Sequence, residues 1–136
     1  MKKLSNKGFT LIEIVIVLAI AALIMVIVFL AVQGAQRSQR DTATKNNAAR
    51  TLAAAEQYAS NNSGDYPDNV AAFSTYLTGI TPAPENARAI TAADAGKVFY
   101  LPGYECKADG TSAIAANRVM TFWWSETAGK EQCVGS

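Results

Sequence analysis

The chain has 136 residues, half of them hydrophobic, with twelve basic and eleven acidic side chains for a formal charge of +1. That length gives room for one compact domain, and the overall charge points to no particular partner. Histidine is absent, which removes the commonest metal ligand and the commonest general base together.

The basic residues Lys2, Lys3 and Lys7 come first, ahead of an apolar run. Positive charge on that flank holds the N-terminus on the cytoplasmic side and sends the remainder across a membrane. Without residues 1–8 the tally becomes nine basic against eleven acidic side chains, a net of about −2. Residues 14–32 then contain no polar side chain. A helix of about nineteen residues spans a bilayer core of about 30 Å at about 1.5 Å per residue. A core helix of a soluble domain would alternate apolar and polar faces. This one does not, so lipid or an equivalent protein environment must surround it at some stage.

An ordinary secretory signal has a shorter apolar region followed by small residues at the cleavage point. Here the run is too long, and Val32-Gln33-Gly34 is a marginal site. A plain transmembrane anchor explains the length but leaves Gly8-Phe9-Thr10-Leu11-Ile12-Glu13 without a reason. A carboxylate buried near a membrane edge costs on the order of 2 to 3 kcal/mol, which makes Glu13 a functional candidate. The string from Lys7 through Glu13, set before an apolar helix, closely resembles the processing site of type IV pilins, type II secretion pseudopilins and competence pseudopilins.

That resemblance implies a sequence of events done to the chain. Gly8 would be the last leader residue, cut by a membrane aspartyl prepilin peptidase, and Phe9 the new, N-methylated terminus. Glu13 would be the acidic residue that, with Phe9, sets assembly and register. Charge gives an independent reason: a freed amine on Phe9 lies four residues from Glu13, and in a helix bundle the amine of one chain can meet the carboxylate of the next. An intramolecular pair is equally compatible with that spacing. Either pairing offsets the desolvation of both groups, whereas one charge left alone is strongly destabilising. The resemblance further implies an assembly ATPase and a polytopic platform protein as partners, beside the membrane that holds the monomer and the homopolymer, a helical filament, that it joins.

Residues 33–61 continue the helix. Between Gln33 and Ser60 there is no proline and one glycine, Gly34, while helix formers such as Ala49, Leu52, Ala53 and Glu56 are dense. Ala48, Leu52, Ala55 and Ala59 recur at helical spacing and form an apolar stripe that the C-terminal part must cover. A helix over residues 9–60 measures about 78 Å. Asn61, Asn62, Ser63, Gly64 and Pro67 end it, and Gly64-Asp65-Tyr66-Pro67 resembles the Gly-x-Tyr-Pro turn common among pilins. Many pilins of diderm bacteria carry a proline in the apolar helix, near where this chain has Phe29 and Leu30. None occurs here before Pro67, so a continuous helix is expected.

Residues 62–136 form the body. A short helix is expected over 69–77, an irregular connection over 78–96 with Pro82 and Pro84, and strands over 97–101 and 118–124. Asp109-Gly110 and Ala128-Gly129-Lys130 mark turns. The fold class is therefore α+β: a long N-terminal helix, its apolar half protruding, packed through its C-terminal half against a small antiparallel sheet. The resemblance names this the pilin fold. Cys106 and Cys133 are the only cysteines. An even number in an exported chain favours a disulfide over a free or metal-binding pair, and it resembles the C-terminal disulfide loop of many pilins. Trp123 and Trp124 point to opposite faces of a strand, one into the core beside Val119 or beside Met120 and Phe122, the other towards the surface or a subunit contact. Asp65 and Asp68 are read as turn residues rather than calcium ligands, and no metal or cofactor is expected.

Three functions follow. The favoured one is a structural subunit of a type IV pilus, a surface filament for adhesion, twitching motility or DNA uptake. The alternative within the family is a pseudopilin of a type II secretion or competence system. From another class comes a membrane-anchored binding module that never polymerises, which leaves Gly8, Phe9 and Glu13 as coincidence. An enzyme is not expected, since no nucleophile elbow, phosphate loop or metal cluster is present. Nucleic acid could track Arg37, Arg40, Lys45 and Arg50, but a solvated face or pairing with Asp41 and Glu56 explains them more simply.

Overall fold

The computed structural model describes residues 8–136. The leader lysines Lys2, Lys3 and Lys7 lie outside the described residues. The chain divides into two compact units, Met1–Gln36 and Arg37–Ser136.

One helix, α1, runs over Leu11–Asn61, as expected for a stretch free of proline. In the first unit its side chains are all exposed, including Leu11, Ile16, Leu23, Phe29 and Leu30. The helix is long and apolar enough there to cross a membrane. In the second unit the stripe expected on α1 is buried: Ala48, Leu52, Ala55 and Ala59 are at most 7% exposed, and Thr44, Thr51 and Ala54 join them. The two buried threonines are tolerated because each hydroxyl donates to the carbonyl one turn back, Thr44 to Arg40 and Thr51 to Asn47.

The helix stops where the sequence says it should. The Gly64 N–H donates to the Ala59 carbonyl at 2.8 Å, with Gly64 at φ +93°, a bond that closes the last turn only when the chain enters left-handed backbone. Asn62 adds its side-chain amide to the Tyr58 carbonyl. The short helix expected over 69–77 is a 3-10 segment, Val70–Tyr76, capped by the Asn69 side chain, which accepts from Ala72 N–H.

Four strands follow: β1, Glu85–Asn86; β2, Phe99–Cys106; β3, Ser112–Ser125; β4, Lys130–Gly135. They form one sheet in the order β1-β2-β3-β4. The sheet is mixed rather than wholly antiparallel, which corrects the sequence expectation. β2, β3 and β4 pair antiparallel through the two turns anticipated, but β1 lies parallel to β2. The cause is local: within the irregular connection the chain runs alongside β2 long enough for Glu85 N–H to reach Val98 O and Ala87 N–H to reach Tyr100 O.

Alternation along β3 sends Val119, Thr121 and Trp123 to one face and Met120, Phe122 and Trp124 to the other. The first set meets α1. Leu52, Ala55, Phe73, Tyr100 and Val119 make one cluster, and Ala48, Val98 and Trp123 another. The Thr121 hydroxyl donates to the Ala48 carbonyl at 3.0 Å. The second face has its own core of Ile90, Phe99, Met120 and Phe122, with Trp124 half-buried at its edge. The 87–97 segment covers part of it. There the Arg88 guanidinium lies 4.9 Å from the Phe99 ring centre and pairs with Asp94.

A bulge interrupts β2 and β3 between Pro102 and Tyr104, with Gly103 and Asn117 both at positive φ. Beyond it Cys106 comes against β4. A side chain added at Gly135 would place its Cβ 2.8 Å from the Cys106 nitrogen, so only glycine fits there.

Candidate processing and assembly site

Gly8, Phe9 and Thr10 precede the helix and are exposed. Nothing lies within 4 Å of where a Cβ would sit on Gly8, so no contact inside this chain requires glycine at that position. Phe9 is 84% exposed and follows Gly8 through an ordinary peptide bond in the unprocessed chain.

Thr10 is the residue on which the helix starts. Its carbonyl accepts from Ile14 N–H, the first helical bond. Three positions on, Glu13 reaches back so that one carboxylate oxygen, Oε2, accepts from both the Thr10 N–H at 2.8 Å and the Thr10 hydroxyl at 2.7 Å. This is one arm of a capping box, in which an acidic residue at the third helical position satisfies the backbone donor before the helix. A negative charge in the first turn also complements the helix dipole. Glu13 is therefore held by its own chain, through one oxygen. The pattern Thr-x-x-Glu was visible in the sequence, but attention to membrane cost passed over it.

The remaining candidates separate. Cys106 and Cys133 are joined as a disulfide, with Cα atoms 5.8 Å apart, inside the range such a bridge needs. It ties the far part of β2 to β4. The four basic residues of α1 form no common strip: Arg40 pairs with Glu126 at 3.6 Å, and Arg50 donates to the Gly79 and Thr78 carbonyls. Asp41 is no partner to them. Its carboxylate accepts from the Ser125 hydroxyl and from the N–H groups of Glu126 and Thr127, at 2.8 to 2.9 Å. Partial burial pushes this carboxyl up, but the bonds from Thr127, Glu126 and Ser125 outweigh it and hold it below its usual range. Asp41 thus fastens the β3–β4 turn to α1, a role with no local signal because its partners lie more than eighty residues away. Among the described residues no group of His, Cys, Asp or Glu is arranged to hold a metal ion.

Residues 3–29 match the family model for the prokaryotic N-terminal methylation motif. The match covers the processing string, Thr10, Glu13 and most of the apolar run. Neither a curated protein nor a solved structure matches the chain.

Proposed function

We propose that this chain, a member of the type IV pilin and pseudopilin family by its N-terminal methylation motif, is a structural pilin that polymerises through its N-terminal helix. The precursor is anchored in the membrane by residues 9–32, with residues 62–136 on the outer side and residues 33–61 linking the two. Prepilin peptidase removes residues 1–8 after Gly8, and the amine of Phe9 is methylated. The assembly machinery, an ATPase and a platform protein, then moves the subunit from lipid into a surface filament.

One observation carries this reading. An apolar stretch of α1 that its own chain leaves wholly exposed begins directly at the methylation motif. An uncovered surface of that size needs lipid before assembly and neighbouring helices after it. Both environments are apolar, so the same side chains serve in each.

Glu13 links the two states. In the precursor its Oε2 is held by Thr10, which offsets part of the cost of placing a carboxylate at the membrane edge. After cleavage the Phe9 amine is a cation, and Glu13 of an adjoining copy supplies its counter-charge. The pair removes two desolvation costs at once and fixes the axial offset between copies.

Intact-mass measurement and N-terminal sequencing of protein recovered from sheared surface material test the reading. The expected chain starts at Phe9 and carries one methyl group. A chain that retains residues 1–8, or that begins beyond Val32, would refute it. A pseudopilin would give the same mass but no long filaments at native expression.

A further inference from the structure

The charges of the second unit are sorted by position. Those in the middle are satisfied within the chain: Glu85, Arg88, Asp94 and Lys97 form one network, and Asp41, Arg40, Arg50 and Asp109 each have partners. At the start of its helical segment Arg37 and Lys45 are exposed, and no side-chain hydrogen bond or ion pair engages them among the described residues. Each faces a shallow depression beside the β3–β4 turn, Arg37 with Trp124 and Lys45 with Trp123. At the other end of the helix Asp65 and Asp68 are equally exposed and equally unengaged. They line a cleft of about 520 Å³ together with Tyr58, Tyr66, Asn117 and Arg118. Arg118 does not neutralise them, because its guanidinium is bonded to the Ser136 backbone oxygen.

Cation and carboxylate cannot meet within one molecule. Arg37 and Tyr58 are separated by about 30 Å of helix. Two complementary surfaces at opposite ends of a body can pair only between copies, and head-to-tail pairing of unlike surfaces gives an open chain rather than a closed dimer. The composition runs the same way: residues 33–61 hold four basic and two acidic side chains, and residues 62–136 five basic and eight acidic.

We propose that the cleft at the C-terminal end of α1 is the docking site for a second copy of this chain, with Arg37 and Lys45 of that copy set against Asp65 and Asp68. The inference rests on the polymer reading and adds a second contact to it. The pairing of Phe9 with Glu13 spans four residues, an offset of about 6 Å, whereas the cleft contact requires about 30 Å. The cleft therefore joins copies further apart along the filament than those joined through Glu13. Both tyrosines suit such a contact, since each presents an apolar ring and a polar tip to an incoming guanidinium or ammonium.

Charge reversal in the full-length, processed protein tests this. Arg37→Glu with Lys45→Glu, and separately Asp65→Lys with Asp68→Lys, should each reduce sheared filament yield at least about tenfold at low salt, since like charges then face each other. Combining all four substitutions restores opposite charges and should bring the yield back to within roughly threefold of the unaltered chain. Unchanged thermal melting of the detergent-extracted subunits establishes that the variants fold. Wild-type yield from both double variants, or a folded fourfold variant no better than either, would overturn the docking while leaving the polymer in place. Absence of filaments from the unaltered chain would instead remove the polymer reading itself. Calorimetric titration of the extracted subunit with calcium chloride covers the other occupant: binding that Asp65→Asn with Asp68→Asn abolishes would assign the cleft to a cation and overturn the proposal.

Discussion

Residues 9–32 and the body of residues 37–136 handle polar and apolar groups in opposite ways. In the first, apolar side chains are exposed throughout and the one acid, Glu13, is satisfied by a neighbour three residues away. In the second, apolar side chains are enclosed on both faces of a sheet, and the acids Asp41 and Asp94 are satisfied by groups distant in sequence or held in a loop. The first region is incomplete without an external apolar environment. The second supplies its own.

The largest expected effect breaks the first region at its one charge. Glu13→Ala leaves the Phe9 amine of an assembled neighbour without a partner, at about 3 to 5 kcal/mol for each subunit. Filament yield by electron microscopy should fall by roughly a hundredfold, while mass spectrometry still finds a chain beginning at Phe9. Normal yield would mean that the carboxylate is only the local cap that Thr10 makes of it.

The body should respond to its staple instead. Cys106 and Cys133 are 27 residues apart, and closing a loop of that length is worth about 3 to 4 kcal/mol. The Cys106→Ser, Cys133→Ser double variant should lose that much in denaturant titration of the extracted chain, read by tryptophan fluorescence. A loss under about 1 kcal/mol would mean that the bulge and Gly135 hold the β2 end against β4 unaided.

A smaller change lies between sheet and helix end. The Tyr100 hydroxyl is buried and donates to the Pro67 carbonyl at 2.7 Å, and burial raises its pKa. Tyr100→Phe leaves that carbonyl unpaired and should cost about 1 to 2 kcal/mol in the same titration. An unchanged midpoint would indicate that water replaces the hydroxyl.

The weakest effect is on acid tolerance. The Arg88 guanidinium, Thr91 N–H and nearby Lys97 hold the Asp94 carboxyl below its usual range. A carboxyl whose folded pKa is depressed contributes stability that is complete above its unfolded value, about 4. That contribution is lost as the pH falls through the folded value. Melting temperature should therefore decline on acidification below pH of about 4, and Asp94→Asn should flatten the decline. An unaltered slope would assign acid sensitivity to other groups, Asp41 first among them.

The same contrast explains what could be read in advance. Residues 9–32 were legible because their behaviour depends on composition alone: nineteen residues without a polar atom allow few environments. The stripe of Ala48, Leu52, Ala55 and Ala59 was legible because helical period maps directly onto one buried face. The parallel strand Glu85–Asn86 was not. Two residues carry no periodicity, and their pairing depends on where β2 happens to lie. The second core was hidden for a similar reason: Ile90 and Arg88 sit in an alanine-rich segment that reads as a connection, and only the folded loop brings them to Phe99. Asp41 looked like a solvated helix acid, and only the return of residues 125–127 gives it partners.

Those partners bear on traction. Along one side of α1 the body is fastened at successive levels, by Asp41 to the β3–β4 turn, by the Ala48 carbonyl to Thr121, and by Arg50 to Thr78 and Gly79. A force directed down the helix axis loads these attachments sideways and in parallel, so none can be peeled away before the others. Detachment of the body would then require several bonds to give way together, a mode of failure suited to a subunit that is hauled by one end.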